Sequence, residues 1–406
     1  MYGDGMLRVS LPQSKLEWAT IMYFCLVPCI AVSSFFVPSF IPRRVLIGII
    51  IWFLVCLAGR KKSSAFDSLL LLVVVAIIFG VTISIHPEYG EVYSGRVFHS
   101  IISGVSGISG YVIIRQNLDF NSFRKCLKYS AYVLFLYYFI RSFEVIRTGV
   151  WSSFSVGTAT NVFTNSSMEF GYSMLFPALL FMYFYLREKR LKYLIISLVG
   201  LAEITLYGGR GPILAYLCFV ALYVIFVWMR SNEIRYKAIK IVCIVLAVVL
   251  LYFFFDDILG VVVNGLEKLG IQSRVLTLLI EGEATSDNGR NLLYAATWEK
   301  IIGRSFWSGY GPLADMFYLD GYYVHNIILE MMLDFGLIPG FCLFIVLVTC
   351  LIRTLLKCKD EEAVAILLIF VSCGFIKLFI SSSFWTETTF WMMLALMMNY
   401  KKLALL

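Results

Sequence analysis

Residues 66–85 read FDSLLLLVVVAIIFGVTISI, a run of 20 residues with a single charge at Asp67. A membrane-spanning helix needs about 20 mostly apolar residues, because each residue adds about 1.5 Å along the helix and the hydrocarbon core is about 30 Å thick. The run therefore predicts a transmembrane helix.

Similar apolar runs recur along the chain of 406 residues, of which 60% are hydrophobic and 15% are charged. Soluble proteins carry nearer a quarter charged residues, and disordered chains are poor in apolar ones. We therefore predict an all-α polytopic membrane protein, one integral membrane domain over residues 1–406, with about twelve transmembrane helices. The predicted spans are 18–37, 45–58, 66–85, 97–114, 129–143, 168–185, 191–206, 213–229, 239–255, 337–356, 363–380 and 384–398.

Lys and Arg residues concentrate in short connections that alternate along the chain, at 60–62, 115–128, 187–192, 230–240, 353–359 and 401–402. Cytoplasmic loops carry such an excess of positive charge, so we expect both termini in the cytoplasm. The net charge of +8 then comes mostly from cytoplasmic residues that determine the membrane topology and contact anionic lipid headgroups. We therefore expect no nucleic-acid partner.

The connections on the opposite side are longer, and residues 256–324, between the ninth and tenth predicted spans, could form an external subdomain. This loop contains nine acidic and five basic residues. It is no general surface for polyanions, so an anion site within it must be built from individually placed arginines.

Two external segments contain arginines in unusual settings. In Gly209-Arg210-Gly211-Pro212, glycines permit a tight turn and proline suits the first turn of a helix, so Arg210 is predicted at a helix N-terminus that favours an anion. In the large loop, Arg274 and Arg290 are the candidates for an anion site. The alternative for each is an ordinary solvated charge. Residues 291–302 predict an amphipathic helix, with Leu292, Leu293 and Ala296 on one face and Gly303 at its end.

A third external segment, His325-Asn326-Ile-Ile-Leu-Glu330, opens an apolar helix. Histidine is the usual proton acceptor near neutral pH, although a single interfacial His is more often structural.

The glycine-rich residues 308–312 lack the lysine of a P-loop and predict a turn. Within the predicted spans, Glu203 and Lys377 could pair with each other or with polar neighbours.

The motifs Gly209-Arg210-Gly211-Pro212, Gly289-Arg290, Gly309-Tyr310-Gly311 and His325-Asn326-x-x-Leu329-Glu330 together resemble the superfamily of O-antigen polymerases and O-antigen ligases. The resemblance implies a GT-C-like fold and a metal-independent glycosyltransferase without a cofactor. Catalytic roles are implied for Arg210, Arg290 and His325. Substrate-binding roles are implied for Arg210, Arg274, Arg290, Asn326 and Glu330.

The resemblance further implies donor and acceptor glycans linked to undecaprenyl pyrophosphate, and the Arg210-Gly211-Pro212 form is more similar to the polymerases. We therefore expect an enzyme of the bacterial inner membrane that polymerises repeat units on the periplasmic side, contacting membrane lipids, a chain-length regulator and a flippase. The alternatives are an O-antigen ligase, which transfers the glycan to the lipid A core, and a non-enzymatic flippase or transporter of lipid-linked saccharides.

Overall fold

A computed structural model describes residues 12, 14–33, 62–89, 107–115, 119–151, 165–226, 263, 265, 268, 273–280, 289–304 and 306–403. Over these ranges the backbone forms helices and connecting turns, without a strand. The predicted all-α architecture is confirmed for them.

The first helices are α1 (Lys15–Phe24), α2 (Leu26–Ser33), α3 (Lys62–Ile85), α4 (residues 107–115), α5 (Phe120–Thr148), α6 (Met168–Glu188), α7 (Leu191–Tyr207) and α8 (Arg210–Phe226). They are followed by α9 (Arg274–Ile280), α10 (Arg290–Ile302), α11 (Ala314–Tyr318), α12 (Ile327–Phe335), α13 (Leu337–Lys357), α14 (Glu361–Phe370) and α15 (Thr388–Leu403). A π-helical turn at Val371–Ile376 and a 3-10 turn at Lys377–Phe379 extend α14.

Four helical segments in the described ranges are long and apolar enough to cross a membrane, namely Phe66–Ile85, Met168–Glu188, Leu337–Lys357 and Glu361–Phe379. The α1–α2 pair, bent by 82°, raises the number to five if it is one span. Several helices that could span a membrane are thus confirmed, whereas the total of about twelve and the GT-C-like fold stay predictions. The predicted spans 45–58 and 239–255, and parts of 18–37, 97–114 and 213–229, fall outside the described residues.

The bend between α1 and α2 lies at Cys25, three residues before Pro28. Pro28 has no N–H to donate to the carbonyl of Phe24, and its ring crowds that carbonyl. The sequence therefore explains why the first span does not continue as one straight helix.

The centre of the bundle is α6, which packs against α5, α7 and α8. At its C-terminal end, Lys128 binds Glu188 at 2.7 Å, while Arg187 and Arg124 bind Glu362 at 2.7 and 3.0 Å. These ion pairs bring three of the predicted cytoplasmic connections together at one end of the bundle. The other end of α6, at Met168, is about 30 Å away by the helical rise.

A smaller hydrophobic cluster joins the described part of the 256–324 loop to α12. Its buried members are Tyr89, Ile301, Ala314, Leu319, Val324, Met332 and Leu333. The predicted turn at 308–312 is present, and the N–H groups of Tyr310 and Gly311 donate to the carbonyls of Leu333 and Asp334 at 2.8 and 2.9 Å. The loop therefore packs against the short helix that follows His325.

Candidate active site

A cavity of about 690 Å³ lies at the N-terminal end of α6, where the start of α8 faces the residues that precede α12. This volume lies in the usual range for a small-molecule site. Among the described residues that line the cavity, Arg210, Arg274 and Lys377 contribute cations, His325 an imidazole and Glu169 a carboxylate. Hydroxyl groups come from Ser166, Tyr172, Ser173, Tyr322, Tyr323, Ser381 and Ser382. The cavity is thus a predominantly cationic site.

Arg210 is the first residue of α8, as the sequence predicts, and lies among the cavity-lining residues. The turn before it contacts α6 closely, since a Cβ on Gly171 would lie 3.0 Å from the Gly208 Cα and 2.9 Å from the Pro212 Cγ. The Ser166 hydroxyl donates to the Gly208 carbonyl at 2.8 Å. The glycines therefore serve this close approach, which fixes the start of α8 beside α6.

The substitution Gly171→Ala should destabilise the protein, because its Cβ would collide with this turn. Overpacking of this kind typically costs about 1–3 kcal/mol. We expect a lower thermal unfolding midpoint and reduced activity, because Arg210 is displaced with the turn. The matched control is Gly80→Ala, since a Cβ at Gly80 meets no atom within 4 Å. Equal unfolding midpoints for the two variants would contradict the role assigned to the close approach.

Arg274 lies on the same cavity because α9 is attached to α7 at its first residues. The buried Ser273 donates through its hydroxyl to the carbonyl of Thr205 at 2.8 Å. Arg274 follows directly and lines the cavity. Two arginines that are 64 positions apart in the sequence thus share one site.

His325 lies in the left-handed backbone region, with φ of 56°. Histidine is among the residues that tolerate this region, and strained residues of this kind cluster at functional sites. The imidazole packs edge-on against Tyr323, with ring centroids 4.6 Å apart. Its buried Nδ1 has no hydrogen-bond partner within the described part of the chain.

Burial, and secondarily the positive charge of Arg290, lower the pKa of His325 from 6.5 to about 4. A positive charge on the imidazole would be unfavourable next to the guanidinium of Arg290 and in a partly dry site. His325 is therefore neutral at pH 7 and has a lone pair available for a proton.

The depressed pKa of His325 predicts an effect of pH on stability. Between pH 6.5 and about 4 the unfolded chain protonates this residue and the folded protein does not, so stability should fall as pH falls through that range. The full contribution is about 3 kcal/mol, at 1.36 kcal/mol per pKa unit. His325→Asn retains a residue that accepts a left-handed backbone, and its unfolding midpoint should depend less on pH. Parallel pH dependences for the two proteins would contradict a buried neutral imidazole.

Arg290 is the first residue of α10, which ends before Gly303, as predicted. Arg290 is not among the cavity-lining residues, but its charge acts on both His325 and Tyr172. It therefore lies near the wall formed by these two residues.

The predicted face of α10 is wrong in one respect, because Leu292 is 77% exposed while Leu293 and Ala296 pack against the smaller hydrophobic cluster.

Asn326 and Glu330 make contacts within the protein and are not among the described cavity-lining residues. The Asn326 side chain caps α12 by accepting from the N–H groups of Ile328 and Leu329 at 3.0 and 3.4 Å. Glu330 is buried and accepts from the Ser383 hydroxyl and the Phe384 N–H. Both residues thus support the cavity wall, and direct binding of substrate by either stays a prediction.

Glu330 belongs to a buried group of carboxyls with Asp315 and Asp334. Burial and the neighbouring carboxyls raise the pKa of Glu330 and Asp334 well above their usual values, and burial raises that of Asp315 to about 6. In the described ranges, no group of three or more His, Cys, Asp or Glu side chains is placed to hold a metal ion. The hydrogen bonds of Glu330, and the bond that Asp334 accepts from the Trp385 indole at 2.7 Å, make this group a support for the cavity wall.

The sequence did not identify Lys377 as part of the site. Its ammonium pairs with Glu387, not with Glu203, and lies 4.9 Å from the centre of the Tyr172 ring. The charge within an apolar run was the available signal, but the π-helical and 3-10 turns that bring Lys377 to the cavity are not evident in the sequence. Such breaks are frequent at functional sites.

Residues 196–345 match the family model described as O-antigen ligase. No curated protein and no solved structure matches the chain. The match includes Arg210, Arg274, Arg290 and His325, and members of this family are membrane glycosyltransferases or ligases that act on lipid-linked glycans. Residues 196–345 are therefore similar to O-antigen ligases, which is consistent with the superfamily of O-antigen polymerases and ligases whose motifs the chain resembles.

Proposed function

We propose that the protein is a metal-independent glycosyltransferase that polymerises oligosaccharide repeat units linked to undecaprenyl pyrophosphate into O-antigen or a related surface polysaccharide. The observation that carries this proposal is the cavity in which Arg210, Arg274 and a neutral His325 meet, all within residues matched by the family model. Arg290 adds a fourth functional group close by.

The reaction requires stabilisation of a pyrophosphate leaving group. A hydroxyl oxygen of the acceptor sugar attacks the anomeric carbon of the donor glycan, a new C–O bond forms, and the bond from that carbon to the phosphate oxygen breaks. Negative charge accumulates on the departing undecaprenyl pyrophosphate. Arginines bind phosphate oxygens with two parallel hydrogen bonds, so Arg210 and Arg290 would stabilise this charge without a metal.

The acceptor hydroxyl must lose its proton as the new bond forms. His325 is the candidate base because its imidazole is neutral at pH 7, and Glu169 is the carboxylate on the same cavity wall. In this scheme the cavity opens to the periplasm and the basic ends of α5 and α6 are cytoplasmic, which follows the positive-inside rule. A flippase that delivers the repeat units and a chain-length regulator are the expected partners.

The direct test is polymerisation of a defined undecaprenyl-pyrophosphate-linked repeat by the purified protein in liposomes. We expect lipid-linked products that grow by whole repeat units in the absence of any other protein. If the liposomes bind the lipid-linked repeat but convert none of it, that result would overturn the proposal and favour a transporter.

The second candidate is an O-antigen ligase, and the family description of residues 196–345 favours it. Gel analysis of lipopolysaccharide from a deletion strain separates the two reactions. Loss of a polymerase should leave a core that carries a single repeat unit, whereas loss of a ligase should leave the bare core.

A further inference from the structure

Lys377 is a cation of the cavity lining for which the sequence implied no substrate-binding role. It lies beyond the residues matched by the family model and follows the π-helical turn Val371–Ile376. A charged side chain within an apolar run is costly, and where one occurs it commonly marks a substrate or ion pathway. Here the side chain is 20% exposed and lines the same cavity as Arg210 and Arg274.

The contacts of Lys377 place its ammonium between the two walls of the cavity. On one side it lies over the ring of Tyr172 in α6. On the other, its charge acts on Tyr323, where burial raises the phenol pKa and Lys377 opposes that rise. Tyr323 in turn packs against His325. Tyr172 lies beside the start of α8, because a Cβ on Gly211 would contact the Tyr172 hydroxyl. The ammonium is therefore near both the start of α8 and the candidate base.

Glu387 is the counterion of Lys377 but does not line the cavity. Its carboxylate also accepts from the hydroxyl and N–H of Thr389, at 2.6 and 3.4 Å. These bonds would hold the carboxylate in place if the ammonium turned toward a ligand. Lysine is well suited to such a change of partner, because its ammonium has three donors on a flexible stem.

We propose that Lys377 is a further substrate-binding residue, whose ammonium binds a phosphate oxygen of the pyrophosphate-linked lipid in the cavity that Arg210 and Arg274 also line. This inference rests on the proposed function, since that function supplies the pyrophosphate. The opposing explanation is that Lys377 only neutralises Glu387. The two explanations differ in what happens when both charges are removed together.

The experiment compares binding of undecaprenyl pyrophosphate to purified wild-type protein, Lys377→Met, Glu387→Gln and the double variant, with thermal unfolding as the measure of folding. Lys377→Met alone leaves a buried carboxylate without its cation, which is destabilising, whereas the double variant removes both charges. We expect the folded double variant to bind the lipid roughly 10- to 100-fold more weakly than the wild type, the range for a lost charge-assisted hydrogen bond. Glu387→Gln should bind at least as tightly as the wild type, because its lysine has no competing partner.

Wild-type affinity in the folded double variant would overturn the role of Lys377 and leave the proposed function intact. Weak binding by folded Glu387→Gln would also overturn it, because the intact pair rather than the free ammonium would then be required. Failure of the wild-type protein to bind undecaprenyl pyrophosphate would instead count against the proposed function. Each result therefore identifies which of the two proposals fails.

Discussion

The Arg210→Ala protein should lose at least about 100-fold of its polymerising activity, the effect expected for removal of one donor that stabilises charge on a leaving group. Arg210 is expected to act twice, since its guanidinium binds the pyrophosphate and its position at the start of α8 adds the positive end of a helix. The measurement is the rate of chain elongation in liposomes, alongside the length of polysaccharide made in cells. Arg290→Ala should have a similar effect.

The matched control is Arg353→Ala, which removes an exposed arginine from α13. This variant should reach the membrane in the same amount and keep wild-type chain length. Retention of long polysaccharide by Arg210→Ala would contradict its assignment as a pyrophosphate ligand. Loss in all three variants would show a general effect of arginine removal and would contradict it as well.

Local sequence patterns predicted several parts of the site because each depends on a few consecutive residues. Gly208 to Pro212 predicted a turn followed by a helix with Arg210 at its start, and this is confirmed. The helix from Arg290 to Ile302 and its end at Gly303 also follow from local periodicity and a terminal glycine. The apolar runs likewise predicted the helices that are long enough to span a membrane.

Other parts of the site depend on contacts between residues that are distant in the sequence. The pairing of Lys377 with Glu387 requires a π-helical turn and a connecting loop, and no periodic pattern specifies these. Glu330 looked like a substrate ligand in its short motif, yet tertiary structure places it against Ser383 and Phe384. The sequence thus predicted the local structure around the candidate residues better than it predicted which of them line the cavity.

Replacement of His325 by alanine should lower kcat by about 100- to 10,000-fold, the usual contribution of a general base. For the wild type we expect kcat/KM to be level between about pH 6 and 8 and to decline toward pH 4, because the imidazole with a pKa of about 4 must be unprotonated to accept the hydroxyl proton. His325→Asn preserves the left-handed backbone better than alanine. Equal losses in both variants would therefore assign the effect to the lost base.

Arg290→Gln provides an independent check, because the charge of Arg290 contributes to the low pKa of His325. Without that charge the pKa of the imidazole should rise. It should stay below its usual value, because burial is the larger cause of the lowered pKa. The acid limb of the kcat/KM profile should then move to higher pH in this variant, whatever its maximal rate. An unshifted limb, or a wild-type limb centred near the ordinary histidine pKa of about 6.5, would show that a group other than His325 accepts the proton.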